Sequence, residues 1–160
     1  IGAPSGAGML WTAPSHREST RPLALSHDVA DGYQAAFRWQ GTRDITPWLC
    51  VPAAIEAVQN RWGWPALQAW QHDFACWAGH EMAEALGTTT TDASGGRMTA
   101  AMVSVGLPRG IQSHYQDRFA MRDQMVAQDH VEVAVDEAGG RWWVRRACGA
   151  WNRAEVRRAR

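Results

Sequence analysis

Few side chains here have both the type and the spacing for chemistry, and most candidates fail on spacing. His80-Glu81-Met82-Ala83-Glu84 opens like a zinc-protease helix, but Glu84 stands where that motif needs its second histidine. His72 lies two helical turns away, too far for an obvious shared ion. Solvated polar positions on a long helix account for these residues, and no metal is expected. Ser26-His27 puts a hydroxyl beside an imidazole in sequence, which does not aim one at the other in space. No nucleophile elbow accompanies the pair. The Gly2 to Gly8 loop lacks the Lys-Ser/Thr ending by which a phosphate-binding loop holds a nucleotide. The last twenty residues carry seven arginines against one glutamate, Glu155, a composition that could serve RNA phosphates. A solvated helix face is the simpler reading, because the whole chain balances sixteen basic against sixteen acidic residues.

All sixteen basic residues are arginine, and the chain has no lysine. A guanidinium stays protonated at neutral pH, so it cannot replace an amine nucleophile. Chemistry that needs such an amine is closed to this polypeptide alone. The zero net charge supplies no field drawing the chain to nucleic acid or to an anionic membrane. No apolar run approaches the roughly 18 to 20 residues that span a bilayer, and no signal-peptide pattern opens the chain. Cys50, Cys76 and Cys148 are odd in number and lack metal-ligand spacing. They read as free thiols of a cytoplasmic protein. Ten tryptophans point to cores and interfaces, where a large ring buries much area. A start at Ile1 and a helix from Asn152 running uncapped to Arg160 read as the cut ends of something longer.

The elements that must position any site follow from periodicity. Met9 to Thr12 and Pro22 to Ser26 read as short strands, and His27 to Thr46 as a long polar loop. Thr46 is the expected cap of a helix with Pro47 at its first position, marked by Trp48, Val51, Ile55 and Val58 and stopped by Gly63. A longer helix from Pro65 shows Leu67, Trp70, Phe74, Trp77, Met82 and Leu86 on its apolar side and ends at Gly87. Residues 88–97 read as a polar linker. A strand over Met98 to Leu107, a helix over Ile111 to Ala127, and a hairpin of Val131 to Val135 with Arg141 to Arg145 follow. That order predicts an α/β fold with a small α+β domain, its helices covering one face of an antiparallel sheet.

The segment Phe37-Arg38-Trp39-Gln40-Gly41-Thr42-Arg43-Asp44-Ile45-Thr46-Pro47-Trp48-Leu49 lies between Ser26-His27 and Pro52-Ala53-Ala54-Ile55. It resembles the isopenicillin N epimerase-like branch of the class V aminotransferases, which are fold-type I pyridoxal-phosphate enzymes. Gly2-Ala3-Pro4-Ser5-Gly6, Trp143-Val144-Arg145 and Trp151-Asn152 extend the likeness in order over nearly the whole chain. Each motif is weak alone; the ordered set is more specific.

The resemblance implies that residues 1–50 are the end of a large cofactor-binding domain with its active-site loop. Residues 51–160 would be linking helices and the small C-terminal α/β domain. The cofactor is then pyridoxal 5'-phosphate, and its lysine would lie about two residues before Ile1, outside this sequence. Gly41 and Thr42 match the turn that reaches the cofactor phosphate of the neighbouring subunit, so a homodimer is implied. Arg145 matches the arginine that grips the substrate α-carboxylate, a task suited to its two-pronged donor geometry. Arg43 and Asp44 would form an ion pair holding the turn, or serve the cofactor site. The substrate would be an amino acid, and the reaction epimerisation, transamination or desulfuration. Arg146 and Ala147 depart from the small aliphatic residue and serine usual after the arginine, and Trp151 replaces a tyrosine or histidine. These changes leave the substrate open. Two alternatives stand beside this reading: a stand-alone α/β binding module using its arginine-rich end on RNA, and a non-catalytic remnant.

Overall fold

The computed structural model describes residues 2–92 and 94–152. The chain divides into two compact units, Ile1–Arg61 and Trp62–Arg160.

The first unit is built from short helices. Single 3-10 turns at Pro14–His16 and Val29–Asp31 precede α1 (Tyr33–Arg38), α2 (Thr46–Leu49) and α3 (Val51–Trp62). Neither early strand forms. Met9, Leu10, Trp11, Leu23 and Leu25 are all at least 60% exposed, and no neighbouring strand hydrogen-bonds to them. A strand needs a ladder partner for its backbone groups, which local β-propensity does not supply. The expected long loop instead contains α1, whose Ala35 and Ala36 are buried. Tyr33 and Phe37 meet one turn apart with ring centroids 5.0 Å apart, and the Tyr33 hydroxyl lies 2.7 Å from that of Thr12. Thr46 is the first residue of α2, not its cap. The Asp44 carboxylate accepts from the Thr46 N–H at 2.9 Å and does the capping work two residues earlier.

The second unit is a three-stranded antiparallel sheet with helices on one face, the architecture expected from the order of its elements. The long helix α4 (Trp64–Leu86) is followed by β1 (Met102–Gly106), a 3-10 turn at Ile111–His114, α5 (Arg118–Asp129), β2 (Ala134–Ala138) and β3 (Arg141–Ala147). The sheet order is β1-β3-β2. Gly139 and Gly140, both at positive φ, make the two-residue turn of the β2–β3 hairpin. β1 is shorter than predicted because Met98 and Thr99 are bound to the Asp92 carboxylate instead of a strand. The expected helix from Ile111 breaks after one turn: Tyr115 is extended, and Asp117 starts α5 afresh by accepting from the Ala120 N–H at 2.8 Å.

Register puts Val105, Val144 and Val135 in one row across the three strands, all buried. Trp142, Leu107 and Met121 complete this core, with Met82 and Leu86 of α4 packed against it. Burying side chains of this size contributes about 1.5–3 kcal/mol each. On the next stretch α4 presents Ala75, Ala78, Gly79 and Ala83, small residues that let its backbone approach β1. A side-chain carbon at Gly79 would lie 2.6 Å from Val103 Cγ2, so only glycine permits that approach. At the other end of the sheet, Gln71 donates to the Cys148 carbonyl at 2.9 Å and ties α4 to the exit of β3.

The alternation that buries Trp142 and Val144 turns Arg141, Trp143, Arg145 and Ala147 to the opposite face. Their cross-strand neighbours there are Met102, Ser104 and Gly106 of β1 and Ala134, Asp136 and Ala138 of β2. Among the described residues no helix of this unit covers that face, and Met102, Asp136, Arg145 and Ala147 are exposed on it.

Candidate functional site

The resemblance named positions in both units, and each is built differently. In the first unit, Gly41 has φ +104°, a conformation that glycine adopts without strain. No atom lies within 4 Å of where its side chain would start, so the backbone there is bare and accessible. Thr42 follows with its side chain exposed. The turn borders a cleft of about 330 Å³ lined by Phe37, Trp39, Gln40, Arg43, Trp48 and Leu49. A backbone without side chain, next to an exposed hydroxyl, can present donors to an oxyanion.

Arg43 and Asp44 do not pair with each other. The Arg43 guanidinium lies 4.2 Å from the Trp48 ring centroid and donates to Gln40 Oε1 at 3.1 Å. Asp44 is committed to Thr46, whose hydrogen bonds hold its carboxyl below the usual range. The turn is therefore held by a stacked cation and an N-terminal cap, not by the ion pair expected from sequence. Ser26 is buried, with its hydroxyl accepting from the Asp28 N–H at 3.1 Å, while His27 is exposed. That hydroxyl serves a local turn.

In the second unit, Arg145 occupies the central strand between Ser104 and Ala134, on the face the helices leave open. Its Nη1 lies 3.9 Å from Asp136 Oδ2, with both side chains about half exposed. A pair this long and this wet contributes little stability. The guanidinium is thus lightly held and available to another carboxylate.

The sequence reads as a polar linker after α4 and does not single out the carboxylate that organises that segment. There Asp92 accepts at Oδ1 from the N–H and hydroxyl of Ser94, and at Oδ2 from the Met98 N–H and the Thr99 hydroxyl. These donors hold its carboxyl well below the usual range. Nearby, His72 Nδ1 lies 2.8 Å from the Thr99 carbonyl, and the Cys76 thiol is 3.9 Å from the ring. Burial, reinforced by Asp92 and Asp73, pushes that thiol's pKa up. A depression of about 610 Å³ opens beside them, with Thr88, Thr90 and Gly96 on its walls. Both Asp92 oxygens are already saturated by the loop and burial favours the neutral thiol, so these groups anchor structure. The signal was present as Asp92-Ala93-Ser94, a pattern in which a carboxylate caps its own turn.

Among the described residues, no three of His, Cys, Asp and Glu gather where they could hold a metal ion. No helix there is long and apolar enough to cross a membrane. The arginine-rich end beyond Asn152, together with the helix expected in it, lies outside the described residues.

No family model matches the chain. It is 32% identical over 114 residues to L-cysteine desulfhydrase of Arabidopsis thaliana, covering 69% of this chain and 24% of that protein. It is 28% identical over 151 residues to isopenicillin N epimerase of Streptomyces clavuligerus, covering 84% of this chain and 36% of that protein. The chain thus spans about a quarter to about a third of the length of the curated relatives it matches. At such identities the two likenesses support the family resemblance without separating its branches.

Proposed function

We propose that the chain is the C-terminal portion of a pyridoxal-phosphate enzyme that acts on an amino acid through its α-amine. The isopenicillin N epimerase-like branch is the finer reading, in a cytoplasmic homodimer. The observation that carries the proposal is the likeness to isopenicillin N epimerase over 84% of the chain. A continuous stretch of that share takes in Gly41 and Thr42 wherever it begins.

The residues present fit the outer contacts of the cofactor and lack its covalent anchor. Gly41 leaves bare backbone beside the exposed Thr42 hydroxyl, as a phosphate requires. The anchoring amine must come from polypeptide outside this sequence, since no lysine exists here. When bound, the cofactor supplies an electron-withdrawing ring that stabilises charge at the substrate α-carbon. The tasks of this chain are binding and orientation. Thr42 would help hold the phosphate of the partner subunit's cofactor. Arg145 takes both oxygens of the substrate carboxylate, and its loose contact with Asp136 gives way when it does.

The test is a titration of the longer parent protein with pyridoxal phosphate, followed by the visible absorbance of bound cofactor. Loss of a hydrogen bond to a charged group predicts that Thr42→Ala weakens binding about tenfold. Arg145→Gln should leave cofactor affinity unchanged. Absence of a cofactor band, or a band indifferent to Thr42→Ala, would contradict the assignment.

A further inference from the structure

The open face of the sheet carries a second arginine that the proposed function does not use. Arg141 is half-buried, and its guanidinium reaches from β3 across to the end of β1. Its Nε–H donates to the Leu107 carbonyl at 2.9 Å, and its Cζ lies 5.1 Å from the Trp143 ring centroid. Trp143 is itself fixed, its indole N–H donating to the Ala138 carbonyl at 3.1 Å. The seat of the guanidinium exists because position 106 is glycine. A side-chain carbon there would fall on the Cζ of Arg141 and within 2.6 Å of its Nη2. Three independent features therefore hold one planar cation in place: a backbone acceptor, a ring and a missing side chain.

What that cation lacks is a counter-ion. The acid of this face, Asp136, stands within salt-bridge distance of Arg145, and no carboxylate among the described residues lies that close to Arg141. Among the described residues only its Nε–H finds a protein acceptor, so the Nη donors at the outer end of the fork remain for a ligand. An arginine held rigid loses little freedom when it binds, and two parallel N–H groups match two oxygens of an oxyanion.

We infer that Arg141, seated over Gly106 and Trp143, is an anion-binding position on the open face, separate from Arg145, taking a carboxylate or phosphate group. The inference does not depend on the role proposed for Arg145.

The experiment is side-chain nitrogen NMR of the full 160-residue chain, titrated with acetate and with inorganic phosphate at constant ionic strength. Saturable shifts are expected at the Arg141 Nε–H and the Trp143 indole N–H, with the tighter of the two anions naming the source of the oxyanion. Arg141→Gln should abolish the Trp143 shift, and Arg141→Lys should weaken binding about tenfold, because charge without the fork loses one charge-assisted hydrogen bond. Gly106→Ala, which fills the seat, should do the same while the hairpin signals stay in place. Arg145→Gln should leave the shifts intact. Shifts that survive Arg141→Gln, that vanish only in Arg145→Gln, or that never saturate would overturn the assignment.

Discussion

Single residues in this chain are informative when their partners are saturated. Asp92 has donors on both oxygens, and its carboxyl is held below the usual range by the hydroxyls of Ser94 and Thr99, with the Ser94 and Met98 N–H groups adding to them. A folded-state pKa depressed in this way contributes stability above the ordinary carboxylate range. That contribution is lost as pH falls through the depressed value. The loop is therefore predicted to stay closed at mildly acidic pH and to open only below the ordinary carboxylate range. A carboxyl-carbon NMR titration with an Asp92 midpoint at the ordinary value would refute this. Asp92→Asn turns an amide donor toward groups that are themselves donors, so amide exchange at Ser94 and Met98 should quicken several-fold. Cys76 is predicted to alkylate slowly at neutral pH and faster only well above the ordinary thiol range, because burial favours its neutral form. Rapid labelling at neutral pH would contradict that. At this scale Arg145 and the Gly41-Thr42 turn are proposed from resemblance alone. Arg141 and Asp92 were not singled out, because their meaning depends on what stands across from them in space.

At the scale of elements, periodicity was a good guide to α4 and to the pairing of β2 with β3. The bounds of α4 follow from the apolar spacing up to Leu86, and the hairpin forms about Gly139-Gly140, but its first strand runs Ala134–Ala138 where Val131 to Val135 was expected. The early strands did not form: Met9 to Thr12 and Pro22 to Ser26 have strand-like residues and join no ladder among the described residues. Their amides should exchange rapidly in the 160-residue chain, and strong protection across that stretch would contradict this. The α1 helix was hidden because its six residues bury little beyond Ala35 and Ala36. The contact of α4 with β1 gives a sharper prediction. Gly79→Ala improves helix propensity by about 1 kcal/mol. Its new carbon meets Val103, however, and overpacking of that kind costs about 1–3 kcal/mol. Net destabilisation is expected in urea unfolding. In a Val103→Ala background the worst overlap is gone and only Thr90 Cγ2 at 3.2 Å stays tight, so the penalty of Gly79→Ala should shrink; a penalty unchanged by Val103→Ala would show that Val103 is not the obstacle.

For the whole molecule, the mixed fold with its small antiparallel sheet was legible from element order, whereas the proposed site rests on resemblance. Composition alone established that no amine nucleophile resides here, and it left the chain needing a partner polypeptide for the proposed chemistry. The turn at Gly41 and Thr42 belongs to one compact unit and Arg145 to the other, which is why no local pattern could have linked them. The central claim is that Arg145 receives the carboxylate of an amino-acid substrate. Its most direct test is the KM of the longer parent protein for that substrate, compared with its Arg145→Gln variant. Loss of a charged two-pronged contact predicts a KM raised about tenfold to a hundredfold with kcat much less affected. An unchanged KM would contradict the account.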